Sequence, residues 1–375
     1  MHNVPMVNLQ AQYQDIKEEL NRNIQNLLSG GQFIGGHMIT KLEERLAEFN
    51  GVSHVISCAN GTDALMLALM ALDLKPGDEV ITQAFGYIAA AEVIALLGLK
   101  PLFADVHKDS FELKLKQLES QISERTKVII PMHLFGQCSN MDALCCFAEK
   151  HKLALIEDNA QSIGSGFMGK KYSGLSGSFG DMSTLSFFPS KNLGCYGDGG
   201  ALMTNNSDYA RKLRQLRSHG QSKKYYHSYI GLNSRLDTLQ AGILDVKMNY
   251  LDSYNAHRIK AAAYYESRLS EFDQIILPLK KENRKHVYHQ FTLRILNGHR
   301  DGLMSFLNNC GISTAIYYPL PIYKQEAYKQ FVSSDFKLEN TEQLCQEVLS
   351  LPIHSHISES ELEYICVQIS NYFKN

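Results

Sequence analysis

The sequence contains no tryptophan, no CxxC pair and no basic cluster longer than a doublet. Its eight cysteines, at 58, 138, 145, 146, 195, 310, 345 and 366, are scattered without zinc-site spacing. A disulfide framework does not suit a chain of 375 residues, so reduced thiols and no metal are expected. The missing tryptophan carries no functional message. Basic residues stop at doublets such as Lys170-Lys171 and Lys223-Lys224, and the net charge is -2. Bulk electrostatics therefore offers no attraction to nucleic acid or to an anionic membrane. The longest apolar stretches, such as Ile88 to Leu99, are too short and interrupted to span a bilayer. The opening Met1-His2-Asn3-Val4-Pro5 lacks the basic and apolar regions of a secretory leader. The expectation is a soluble cytoplasmic protein that acts on small molecules.

What is present is rhythm. Apolar, strand-like runs lie at His54–Ala59, Glu79–Ala84, Lys100–Val106, Lys127–Phe135, Leu153–Glu157, Met182–Phe188 and Gly200–Thr204. Several show little alternation, as strands covered on both faces do. Helical patterns separate them at Asp63–Leu72, Ile88–Leu97, Leu115–Ile122, Met141–Lys150 and Ser207–Arg217. This alternation predicts an α/β fold with a mostly parallel sheet, whose site collects at the carboxyl ends of the strands. Near residue 236 the character changes. Leu236 to Leu269 reads as one long helix, followed by a strand at His286–Leu296 and a helix at Asp301–Cys310. A proline-rich turn at Tyr318-Pro319-Leu320-Pro321 comes next, then helices at Asn340–Leu349 and Glu359–Phe373. A smaller α+β domain is expected there.

Five features carry chemistry. Lys191 follows the apolar run Met182–Phe188 and precedes the turn Gly194-Cys195-Tyr196-Gly197-Asp198-Gly199-Gly200. A lysine delivered by a buried strand into a glycine-lined hollow loses its proton cheaply, because desolvation disfavours the ammonium. A neutral amine is what an aldehyde cofactor needs. Asn60-Gly61-Thr62-Asp63 sits at a strand-to-helix junction, where unpaired amides and the helix dipole favour a phosphate. Asp158 ends another buried strand, where a carboxylate could keep a pyridine nitrogen protonated. Tyr87 follows a strand and offers a flat ring for stacking, and Ser186 offers a hydroxyl five residues before Lys191. Each has an ordinary alternative: a solvated surface lysine, a helix cap, a structural ion pair, a core aromatic, a strand serine. Their joint occurrence in this order matches a pyridoxal-phosphate site.

At these residues the sequence resembles the nucleotide-sugar aminotransferases of the DegT/DnrJ/EryC1/StrS group. The likeness covers essentially the whole chain. It includes Asn60-Gly61-Thr62-Asp63-Ala64-Leu65, Glu157-Asp158-Asn159-Ala160-Gln161, the Ser186–Gly200 run, Asn233-Ser234-Arg235-Leu236-Asp237 and Tyr317-Tyr318-Pro319. The resemblance implies fold-type I: a large cofactor domain over 1–250, built on a seven-stranded sheet, and a small C-terminal domain over 251–375. The N-terminal segment could pack on the small domain. It also implies pyridoxal 5'-phosphate, cycling through pyridoxamine 5'-phosphate, with glutamate and 2-oxoglutarate as donor pair.

The same resemblance assigns roles. Lys191 would bond the cofactor and shuttle protons, and Asp158 would pair with the ring nitrogen. Tyr87 would cover one ring face, with Gln161 beside the ring. Gly61, Thr62, Asp63 and Ser186 would hold the phosphate. Asn233 would reach the phosphate of a neighbouring subunit, since family members build each site across a homodimer interface. Arg235, Tyr317 and Tyr318 would face the nucleotide-sugar. Gly86 and Asn159 depart from the family pattern, which more often has a threonine and a small residue there. The Gly197-Asp198-Gly199-Gly200 turn resembles members that aminate C3 of the sugar, especially those acting on UDP-N-acetyl-3-keto-hexuronic acids. Tyr317 stands where those often carry histidine. Three rivals remain at this stage. One is a C4 aminotransferase. The second is a pyridoxamine-dependent sugar dehydratase, which Lys191 opposes because such members carry histidine there. The third is a non-catalytic regulator.

Overall fold

The computed structural model describes residues 3–374. Met1, His2 and Asn375, at the outer ends of the two expected domains, lie outside the described residues. All seven strands expected in the first half form, and they form one sheet. In chain order the strands are β1 (His54–Cys58), β2 (Glu79–Gln83), β3 (Lys100–Ala104), β4 (Thr126–Ile130) and β5 (Ala154–Asp158). A small hairpin, β6 (Gly166–Met168) and β7 (Ser173–Leu175), precedes β8 (Met182–Ser186) and β9 (Gly200–Thr204). The large sheet runs β1-β9-β8-β5-β4-β2-β3. Only β9 is reversed, pairing antiparallel with both β1 and β8. The carboxyl ends of β1, β2, β4, β5 and β8 therefore share one edge with the amino end of β9. Asn60, Tyr87, Met132, Asp158 and Ser186 arrive together at that edge because of this direction rule, although 126 positions separate the first from the last.

The helices begin with α1 (Leu9–Gly30), α2 (His37–Asn50), α3 (Gly61–Ala71) and α4 (Ala89–Leu96). Among the described residues asparagine starts four helices: the side chains of Asn8, Asn60, Asn140 and Asn206 each accept a first-turn amide. Helix α3 is apolar on nearly every side, because it packs against β8, β9 and α4 at once. That leaves its N-terminus little freedom to move, and this N-terminus is the expected anion site.

Four expectations needed correction. The helix expected at Leu115–Ile122 is only one turn, Leu115–Leu118. The chain leaves it so that the Ser123 and Thr126 hydroxyls reach buried Glu79, at 2.8 and 3.0 Å. The long helix expected over Leu236–Leu269 is two, Thr238–Met248 and Leu251–Leu269. The break is held by Glu19 of α1, which accepts from Asn249 Nδ2 and from the Tyr250 hydroxyl. The strand expected at His286–Leu296 is confined to Phe291–Ile295. Residues before it dip toward the large sheet instead, where Val287 N–H bonds the carbonyl of Gly136. The helix expected at Asn340–Leu349 stops at Glu347, and buried Val348–Leu351 pairs with Phe291–Arg294 as a strand.

That pairing, extended by Ile275–Ile276, makes a second, antiparallel sheet of three strands. Helices Leu251–Leu269, Arg300–Asn309 and Glu359–Lys374 close a separate core around it, with Tyr265, Phe291, Leu293, Leu303 and Ile365 buried. Val4 enters the same core and pairs with Ile312.

Candidate active site

The shared edge opens into a cavity of about 570 Å³. Gly61, Thr62, Tyr87, Asp158, Gln161, Ser186, Lys191, Tyr317 and Tyr318 all line it. Nine of the twelve residues singled out from the sequence thus meet at one place. Asp63, Asn233 and Arg235 do not line it. The Asp63 amide donates to Asn60 Oδ1 at 2.8 Å, as part of the α3 cap. Asn233 and Arg235 are exposed, on the segment joining the hairpin strand Tyr226–His227 to the helix Thr238–Met248.

The phosphate-sized end is built from glycine. A Cβ on Gly61 would lie 2.8 Å from Cβ of Ser186, and one on Gly200 would lie 2.4 Å from the carbonyl carbon of Asn60. The loop Asn60–Gly61 is therefore pressed against β8 and β9, with α3 beginning immediately after it. The amides of Gly61 and Thr62 take no hydrogen bond among the described residues, which leaves two donors beside the Ser186 hydroxyl for an anion.

The opposite end carries charge. Asp158 is 3% exposed, and burial raises its carboxyl pKa against the pull of the Ala160 amide and of Lys191. The Ala160 amide donates to its Oδ1 at 3.1 Å. Lys191 sits in the turn that follows β8, where its own amide bonds the Phe188 carbonyl. Burial lowers its pKa to about 8, with Asp158 opposing. No hydrogen bond or ion pair holds its Nζ among the described residues. Gln161 is fixed in orientation: its Oε1 accepts from the Phe135 amide at 2.7 Å and its Nε2 donates to the Tyr318 hydroxyl at 3.1 Å. Tyr87 remains 56% exposed, its ring 6.4 Å from that of Tyr318. A half-exposed ring at a pocket mouth is available for stacking in a way that a core ring is not.

This geometry meets several likenesses to known proteins. The DegT/DnrJ/EryC1/StrS aminotransferase family pattern matches residues 14–370. The chain belongs to that family. It is 42% identical over 368 residues to the UDP-2-acetamido-2-deoxy-3-oxo-D-glucuronate aminotransferase of Pseudomonas aeruginosa, covering 98% of this chain and 100% of that protein. It is 41% identical over 375 residues to a pleiotropic regulatory protein of Geobacillus stearothermophilus, covering 100% and 99%. Its fold superposes on NtdA of Bacillus subtilis, solved with bound cofactor PMP (pyridoxamine phosphate), at a TM-score of 0.92 and 30% identity, covering 100% of this chain and 86% of that one.

An aminotransferase of this family uses pyridoxal phosphate, and the residues present fit it. Gly61 and Gly200 let the Asn60–Gly61 loop pack tightly against β8 and β9, the amides of Gly61 and Thr62 stay free, and Lys191 and Asp158 line the same cavity as Gly61 and Thr62. Gly61→Ala is accordingly expected to weaken cofactor affinity by about 10-fold or more, since about 1.4 kcal/mol of lost contact suffices for that. Fluorescence titration of the cofactor-stripped protein reads this directly; unchanged affinity would remove the cradle from the anion site.

Several residues at or beneath the site take roles that the sequence did not assign to them. His133 and Glu157 form a fully buried pair, Nε2 to Oε2 at 2.8 Å. The Ser139 amide donates to His133 Nδ1, so Nε2 carries the hydrogen and donates to Glu157. Glu157 also accepts the amides of Gly177, Phe179 and Gly180, and with four donors it tolerates full burial. This pair anchors the end of β5, one residue before Asp158. Asn159 earns its unusual place there as well: its Nδ2 donates to the Ser176 carbonyl and its Oδ1 accepts the hydroxyls of Ser162 and Ser176. His289 and Gln290 enter the cavity wall from the segment that dips in front of Phe291. Among the described residues no group of three His, Cys, Asp or Glu side chains is placed to hold a metal, all eight cysteines are free thiols, and no helix is long and apolar enough to cross a membrane.

Proposed function

We propose that this aminotransferase moves an amino group from glutamate to C3 of a keto sugar carried on a nucleotide, in the cytoplasm, for surface-glycan synthesis. The observation that carries the reading is the meeting of Lys191 and Asp158 in one cavity large enough for cofactor and sugar together. The 3-oxo-sugar aminotransferase among its relatives and the Gly197-Asp198-Gly199-Gly200 turn support C3. A uronic acid is the first sugar to try. Lys191 and Asp158 also count against the regulator reading that the Geobacillus relative's name suggests.

The roles follow from placement. The bound cofactor supplies an aldehyde for the amine and a ring that accepts the electrons of a deprotonated carbon. With the cofactor bound, Lys191 would hold its aldehyde carbon through Nζ, with loss of water, and once displaced by the donor's amine would take and return the proton of the carbon undergoing transfer; a pKa of about 8 suits a base near neutrality. Asp158 holds the proton on the ring nitrogen. Gly61, Thr62 and Ser186 bind the phosphate, and Tyr87 and Gln161 confine the ring. Tyr317 and Tyr318 face the sugar. Exposed Asn233 and Arg235 complete the site of a second copy in a homodimer. We further propose the division 1–250 and 251–375, which the helix break at Asn249–Tyr250 and the second sheet support.

The test is a panel of 3-keto and 4-keto nucleotide sugars with glutamate, read by mass and product NMR. Amination of 3-keto substrates alone is expected. Turnover of 4-keto sugars alone would overturn the C3 reading, and no change of the cofactor spectrum with glutamate would overturn transamination.

A further inference from the structure

Buried His289 lines the same cavity as Lys191, and the mechanism above does not use it. Its tautomer can be read from its neighbours. Asn192 Nδ2 donates to Asn255 Oδ1 at 2.7 Å and to the Val287 carbonyl at 3.2 Å, so the Asn192 amide is oriented. The oxygen of that amide lies 3.2 Å from His289 Nδ1 and can only accept. Nδ1 therefore carries the hydrogen. The imidazole is neutral, since burial and the nearby charges of Lys191 and Arg258 press its pKa well down. A neutral ring with its hydrogen on Nδ1 has a lone pair on Nε2.

The ring is firmly seated. Arg258 bonds the carbonyls of Tyr288, His289 and Ile353. A Cβ on Gly136 would lie 2.7 Å from the His289 nitrogen, so this segment is pressed against the Phe135–Gly136 turn. Neither His289 Nε2 nor Lys191 Nζ has a hydrogen-bond partner among the described residues. Gln290 Oε1, on the next residue, also lines the cavity without a partner among the described residues, while three other acceptors are already engaged. The Phe135 amide occupies Gln161 Oε1, the Asp63 amide occupies Asn60 Oδ1, and Asp158 is reserved for the ring nitrogen.

We infer that His289 is a positioning residue for Lys191: its Nε2 accepts a hydrogen bond from Nζ whenever the lysine is released from the cofactor, keeping the amine in the cavity for its proton transfers. This rests on the reading of Lys191 as the cofactor-bearing lysine. The remaining titratable side chains lining the cavity are Asp158, Asp198, Tyr87, Tyr317 and Tyr318, and the comparison below leaves all of them in place.

The test uses the full-length protein loaded with pyridoxamine 5'-phosphate, in which Lys191 is free. Its pKa is read from the pH dependence of acetylation at Lys191, located by peptide mass. A lost hydrogen bond to a charged group lowers the Lys191 pKa, so His289→Leu is expected to shift it down by about one unit. His289→Gln can place an amide oxygen near the Nε2 position and is expected to keep the wild-type value. His289→Asn reaches only the Nδ1 position and should behave as the leucine variant does. A merely structural histidine would lower the melting temperature of all three variants and leave the Lys191 pKa where it was; that result overturns the inference. Borohydride reduction of the pyridoxal-loaded wild type separates the two readings. Fixation of the cofactor on a lysine other than 191 would overturn the assignment of Lys191 itself.

Discussion

Lys191→Ala is expected to abolish the visible absorbance of the cofactor–lysine linkage and to slow transamination by about 10⁴-fold. Two effects combine. The covalent tether disappears, and so does the one lysine that, among the described residues, lines the cavity. No neighbour replaces it as a base. The carboxylate of Asp158 is assigned to the ring nitrogen, His289 is neutral with a pKa pressed far down, and burial pushes the Tyr318 phenol pKa up, out of the useful range. Cofactor affinity should survive in part, because the phosphate end is built from Gly61, Thr62 and Ser186 and owes nothing to the lysine. The measurement is a spectrum of the reconstituted variant followed by single-turnover reaction with glutamate. Retention of the band, or a rate within 10-fold of wild type, would mean that another lysine carries the chemistry.

The large sheet was legible because its strands are short apolar runs bounded by polar turns, and burial on both faces leaves a signal that period alone reveals. Lys191, Asp158 and the Asn60–Gly61 loop were legible for a related reason: a parallel sheet places strand ends on one edge, so a charged or glycine-rich strand end is already a site candidate. What failed was non-local. The break at Asn249–Tyr250 depends on Glu19, some 230 positions away, and no window around residue 250 contains that information. Residues His286–Gln290 read as the start of a strand because they precede Phe291. They are drawn instead to Gly136, which is why His289 and Gln290 enter the cavity unannounced. The Glu157–His133 pair is invisible in the same way: each residue is ordinary until β4 and β5 lie side by side. Asp63 shows a related limit: its amide is taken into the helix cap, and the side chain of Asn60 decides which amides stay free.

Asp158→Asn is expected to cost about 10³-fold in transamination while leaving the cofactor-free fold as stable as wild type, or more so, at pH 7. The signs follow from its environment. Burial raises the Asp158 pKa, so the folded, cofactor-free protein holds this proton more readily than the unfolded chain does. That contribution to stability is present at low pH and is lost as pH rises through the raised folded-state value. At neutral pH the carboxylate therefore sits in the apoprotein at a cost, which a neutral amide of the same shape removes. With the cofactor bound the balance would reverse, because Asp158 would gain a protonated ring nitrogen as charge partner, and asparagine cannot supply that negative charge. The stability difference between the cofactor-free proteins should thus favour the variant at pH 7 and shrink as pH falls through the raised Asp158 value. Half-reaction rates with glutamate should fall steeply in the variant. If Asp158→Asn retained activity within 10-fold, or if it destabilised the cofactor-free protein at pH 7, the carboxylate would be a structural anchor like its neighbour Glu157, and the ring would have to find its partner elsewhere in the cavity.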